Sequence, residues 1–160
     1  MNSGRAFLAG VVGGAVMSLG LAMGRAMGMS AASLEMMLGT MVLQPGTGAF
    51  ALGMMMHLII SGLIALVYAW AFEHVTHRAN ALIGAGFGVI HGVIGGMVMG
   101  MVPMMHPLIP EMMPAPGAFM SSTGMMGVVA EIVLHIIYGA VVGAVYRPVR
   151  AVAGPTAARA

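Results

Sequence analysis

The chain has 160 residues, 60% of them hydrophobic and 6% charged, with a mean hydropathy of +1.01 and a formal net charge of +2. So little polar surface cannot coat a water-soluble globule of this size, so an integral membrane protein in a lipid bilayer is expected. Cysteine is absent, which excludes disulfides, thiolate metal sites, c-type haem attachment and cysteine nucleophiles; the few arginines read as topology signals and not as a nucleic-acid surface.

Four apolar segments, about 6–28, 49–72, 81–103 and 125–146, are long enough to cross a hydrocarbon core of about 30 Å. The fold class is therefore all-α: one polytopic domain of four transmembrane helices over 1–150, followed by an Ala- and Pro-rich tail at 151–160 that reads as disordered. The first segment follows Asn2-Ser3-Gly4-Arg5 and runs past 20 residues without a short apolar core and cleavage site, so it reads as a retained helix. Gly10, Gly14, Ser18, Ala22 and Ala26 recur along it every four residues, and Arg25 near its far end reads as a snorkelling side chain.

Residues 30–43 and 108–114 are candidates for short or re-entrant helices outside the spans. Proline at 103, 107, 110, 114 and 116 predicts that the second of these is broken and lies in a cavity or interface. Small-residue stripes continue in the second helix (Gly53, His57, Ser61, Ala65), the third (Gly84, Gly88, Gly92, Gly96, Gly100) and the fourth (Gly127, Glu131, His135, Gly139, Gly143). Such glycine zippers bring helix backbones together, within one tight bundle or across a homo-oligomer. Glu73, His74, His77 and Arg78 lie between helices two and three and read as a solvated loop.

The two halves of the chain resemble each other. Glu35-Met36-Met37 recurs as Glu111-Met112-Met113, Gly53-Met54-Met55 as Gly124-Met125-Met126, and His57-Leu58-Ile59 as His135-Ile136-Ile137, with Tyr68 and Tyr146 each eleven residues beyond the histidine. A duplicated helical hairpin is expected, with repeats at about 5–72 and 81–147 related by a pseudo-twofold along the membrane normal. Arg5, Arg78, Arg147, Arg150 and Arg159 fall on one face, which the positive-inside rule makes cytoplasmic together with both termini.

Eighteen of the 21 methionines fall in residues 27–56 and 97–126, on the opposite face. Methionine packs adaptably in place of leucine, but soft thioether and imidazole groups also suit Cu(I). Candidate metal ligands are Met36, Met37, Met54, Met55, Met101, Met105, Met112, Met113, Met125, Met126 and His106 at that face, with His57, His91, His135 and Glu131 as a station at mid-membrane depth. Glu131 and His135, four residues apart, share a helix face and can meet; a bare carboxylate at that depth needs a partner or a proton. Each histidine reads in two ways, as a hydrogen-bonding link between helices or as a ligand.

The placement of His57 and His135 ahead of small residues, in His57-Leu58-Ile59-Ile60-Ser61-Gly62 and His135-Ile136-Ile137-Tyr138-Gly139-Ala140, resembles an uncharacterised family of small bacterial four-helix integral membrane proteins. That resemblance implies the four-helix membrane fold and supplies no activity; the expected location is a bacterial-type inner (plasma) membrane. Met97 and Met101, spaced by three and flanked by Gly96 and Gly100, are similar to the membrane signature of eukaryotic-type copper transporters, a likeness of chemistry alone because those have three helices per subunit. The expected function is binding or passage of a soft metal ion, copper(I), by a protein that is not an enzyme. The alternatives are b-haem held by His57 and His135, or a non-catalytic accessory or assembly subunit of a larger membrane complex.

Overall fold

The computed structural model describes residues 1–28 and 33–147; Met29, Arg150, Arg159 and the 151–160 tail fall outside that range. Among the described residues the chain is helical, without strands. Helix α1 spans Ser3–Ala26, α2 Leu34–Gly39, α3 Thr47–Ala71, α4 Ala81–Met105 and α5 Met125–Tyr146. The four long helices, α3 with its π-helical extension Phe72–Thr76, are each long and apolar enough to cross a membrane, with mean hydropathies of 1.8 to 2.2. The protein is thus a four-span α-helical membrane protein.

Local chemistry sets the ends of these helices. Asn2, Ser33 and Asn80 cap α1, α2 and α4, their side-chain oxygens accepting from the backbone N–H groups of Arg5, Met36 and Ile83. His77 closes the extension of α3 in a left-handed conformation (φ 51°). Residues 107–113 are turns, not a helix, because Pro107 and Pro110 remove the N–H donors a helix there needs. The short helical segment of this half lies later, as the 3-10 turn Ala118–Thr123.

Packing follows the small residues. Helix α1 lies along α3 and α5, and α4 lies along α5. A Cβ on Gly10 would collide with the Ser61 carbonyl, one on Gly84 with the Gly139 carbonyl, and one on Gly88 with the His135 carbonyl. The backbones are therefore in direct contact, which replaces side-chain interdigitation by close dispersion contact. Gly13 accommodates the Tyr138 ring between α1 and α5. Helices α3 and α4 lack such backbone contact and meet through long side chains: the Tyr68 ring lies edge-on to Phe87 and His91 at centroid distances of 6.0 and 5.9 Å.

The two halves do not pack alike. Helix α2 lies on α3, where Gly53 makes room for the Glu35 carbonyl, and the 3-10 turn lies on α4 and α5, where Gly96 makes room for the Phe119 ring. Glu35 is wholly buried, whereas Glu111, its partner in the sequence repeat, is exposed.

Candidate functional site

A cavity of about 660 Å³ occupies the middle of the bundle. Helical spacing places its polar groups: His57, Ser61 and Tyr68 follow one face of α3, His91 and Gly95 one face of α4, and Glu131, His135 and Tyr138 one face of α5. Leu34 and Leu38 of α2 border it at the methionine-rich end. Val67 of α3 and Ile90 of α4 both line the cavity and are 65% and 58% exposed, so the space opens sideways between these helices, toward the surface that lipid covers.

The imidazoles are oriented. His135 Nδ1 lies 2.7 Å from the Glu131 carbonyl and donates to it, so Nε2 is the ring nitrogen left for the cavity. His57 donates from Nε2 to the Gly14 carbonyl across to α1 at 3.2 Å, leaving Nδ1. His91 Nδ1 is 3.2 Å from the Tyr68 hydroxyl, and its ring meets that of His135 edge-on at 4.5 Å. Tyr138 donates to the Ser61 carbonyl at 2.5 Å. The Glu131 carboxylate and His135 do approach, Oε1 to Nδ1, at 3.6 Å. A Cβ on Gly95 would stand 3.0 Å from His135 Nε2 and 3.5 Å from Glu131 Oε1, so both face the same bare patch of α4.

The structure therefore gathers His57, His91, His135 and Glu131 around one space. It does not gather the methionines named from sequence. Of these only Met126 lines the cavity, while Met55, Met101, Met105, Met112 and Met125 are exposed, and Met36, Met37, Met54 and Met113 are half-buried elsewhere. The Met113 sulfur accepts from the Thr40 hydroxyl. Three other methionines, Met17, Met99 and Met120, do line the cavity. Among the described residues no three His, Asp or Glu side chains converge as a metal ligand set.

His106 stands apart from the cavity polar groups and is buried. Its Nδ1 accepts from the Leu108 N–H two residues on, at 3.1 Å, and its Nε2 donates to the Met37 carbonyl at 2.9 Å, so both nitrogens are occupied and the second ties α2 to the end of α4. Arg25, expected to snorkel, instead reaches Glu35 Oε2 at 3.3 Å. That oxygen also accepts from Ser33 at 2.8 Å, while Oε1 has no partner among the described residues. Burial works to raise the Glu35 carboxyl, but hydrogen bonds from its own backbone N–H and the Ser33 hydroxyl, with the Arg25 charge, outweigh it and hold the carboxyl below its usual range.

Near the methionine-rich end, Phe119 and Met120 take left-handed backbone conformations (φ 55° and 57°), which cost non-glycine residues about 1–3 kcal/mol each. This turn presents Met120 to the cavity and Phe119 to Gly96.

Fold and cavity together define a small multi-pass α-helical membrane protein with an internal, laterally open cavity. The chain belongs to a family of unknown function, DUF6789, whose model matches residues 1–155. No curated protein and no solved structure matches it.

Proposed function

We propose that this protein is a non-catalytic membrane binding protein whose cavity takes one membrane-soluble organic molecule, apolar over most of its length and polar at one end. One observation carries this reading: the cavity has the volume of a small-molecule site, largely apolar walls, a cluster of oriented polar groups, and an opening on the lipid side. The polar end of the ligand lies against His91, Glu131 and His135, and the apolar remainder extends between α3 and α4. By the positive-inside rule the arginine end is cytoplasmic and the methionine-rich end faces outward.

A second reading, binding or passage of Cu(I), is favoured by one feature of the same space. Met17, Met99, Met120 and Met126, from four different elements, line it together with the three histidines. A haem held by His57 and His135 is a special case of the first reading, because haem is itself a large, mostly apolar molecule.

One preparation separates these readings. The protein is purified in mild detergent from copper-supplemented cells, beside Gly95→Ala and a Met99→Leu, Met126→Leu double variant. Native mass spectrometry, copper analysis and an absorption spectrum are then recorded on each. The expected result is an organic molecule bound at close to one per chain and reduced by about tenfold in Gly95→Ala, whose methyl group crowds the polar patch. Copper that follows the methionines replaces this reading with the second, and a Soret band identifies haem. Folded protein that stays empty after exposure to a total lipid extract overturns the reading.

A further inference from the structure

Among the described residues that border the cavity, Glu131 alone bears a formal negative charge, and none is Lys or Arg. Its side chain is 9% exposed. His135 Nδ1 is 3.6 Å from Oε1 but directs its N–H to the backbone carbonyl of Glu131 at 2.7 Å. The carboxylate is thus buried at membrane depth with no Lys or Arg beside it among the described residues that border the cavity, in contrast to Glu35, which has Arg25 and Ser33.

Past His91 and His135, about two helical turns along the cavity from Glu131, the walls are aromatic. Tyr68 lies edge-on to Tyr138 at 5.6 Å and to Phe87 at 6.0 Å, and all three rings border the cavity. Ring faces and a lone carboxylate in a water-poor space attract the same kind of group, a positive charge that is weakly hydrated and carried on an apolar frame. Inorganic cations with tight hydration shells are disfavoured by the apolar remainder of the walls.

We infer that the cavity selects a lipophilic monovalent organic cation, with Glu131 as its counter-charge and Tyr68, Tyr138 and Phe87 around its apolar frame. This rests on the cavity being an organic-ligand site, and adds the charge of the ligand. Gly95 is what leaves the carboxylate approachable from α4, since its missing side chain opens the patch that Oε1 faces.

The test is equilibrium binding of two probes of similar shape to the purified full chain in mild detergent, corrected for binding to empty micelles: methyltriphenylphosphonium, which is charged, and triphenylphosphine oxide, which is not. Wild type is expected to bind one phosphonium per chain about tenfold or more tightly than the oxide. Glu131→Gln, matched in shape, is expected to lose that preference while keeping its affinity for the oxide. Equal binding of the two probes by wild type overturns the charge selection and leaves the organic-ligand cavity standing, as does a preference that survives Glu131→Gln. Should Glu131→Gln fail to fold, the wild-type comparison decides alone. Binding of neither probe by protein that also takes nothing from a lipid extract overturns both inferences.

Discussion

Glu35 and Glu131 are both carboxylates inside the bundle, and their neighbours give them different roles. Glu35 is built in: Arg25 and Ser33 hold one oxygen, and its side chain has no exposure. Arg25→Met leaves that carboxylate without its cation and is expected to cost about 3–5 kcal/mol, read as a lowered thermal midpoint in detergent. Because the folded carboxyl sits below its ordinary value of 4.5, its stabilising contribution is fully present above that pH and is lost as pH falls through the folded value. The stability gap between wild type and Glu35→Gln is therefore expected to change in the acid range below pH 4.5 and to stay level above it, in denaturation series run from neutral to acid pH. The spacing of Glu131 and His135 was legible because four residues make one helix face. The burial of Glu35 was not, since the sequence pairs it with Glu111, and only the packing of α2 on Gly53 separates them. Tyr68 carried a signal that a helical wheel contains: eleven residues from His57 is three turns, the same face.

At the scale of elements, composition alone placed the spans. The expected 81–103 and 125–146 compare with Ala81–Met105 and Met125–Tyr146, and 6–28 with Ser3–Ala26. Asn80 shows why one boundary is sharp, its side chain accepting from the Ile83 N–H at 2.9 Å. Asn80→Ala is expected to destabilise the protein by about 1 kcal/mol, measurable by denaturant titration, without changing ligand stoichiometry. The segments between spans were harder to read. Residues 30–43 yield only Leu34–Gly39 as a helix among those described, and 108–114 yields turns. The left-handed pair Phe119 and Met120 has no local signature, because neither is glycine; Gly117 and Gly124 on either side supply the positive φ angles that bring the turn in and out.

For the whole molecule, the decisive feature is that α3 and α4 stay apart. Gly13 lets the Tyr138 ring bring α5 close to α1, whereas bulky Tyr68, Phe72 and Phe87 stand between α3 and α4. That choice depends on three-dimensional fit of particular rings, so the glycine stripes, present on every helix, could not reveal it. The orientation across the membrane is testable because the chain has no cysteine to obscure an introduced one. Val42 and Val75 are 68% and 60% exposed at opposite ends of the bundle. A membrane-impermeant maleimide is expected to modify Val42→Cys in intact cells and Val75→Cys only after permeabilisation, and the reverse pattern would invert the orientation.

The sideways opening between α3 and α4 also changes what concentration means for this protein. A molecule that arrives through that gap is drawn from the lipid phase, so its mole fraction in the bilayer is the natural reference for its affinity. Each tenfold gain in partitioning into lipid then lowers the dissociation constant measured against the aqueous phase by tenfold, about 1.4 kcal/mol, without any new contact to protein. Compounds ranked by aqueous affinity would be ordered largely by oiliness. Ranked by lipid mole fraction, they would be ordered by their fit to the cavity itself.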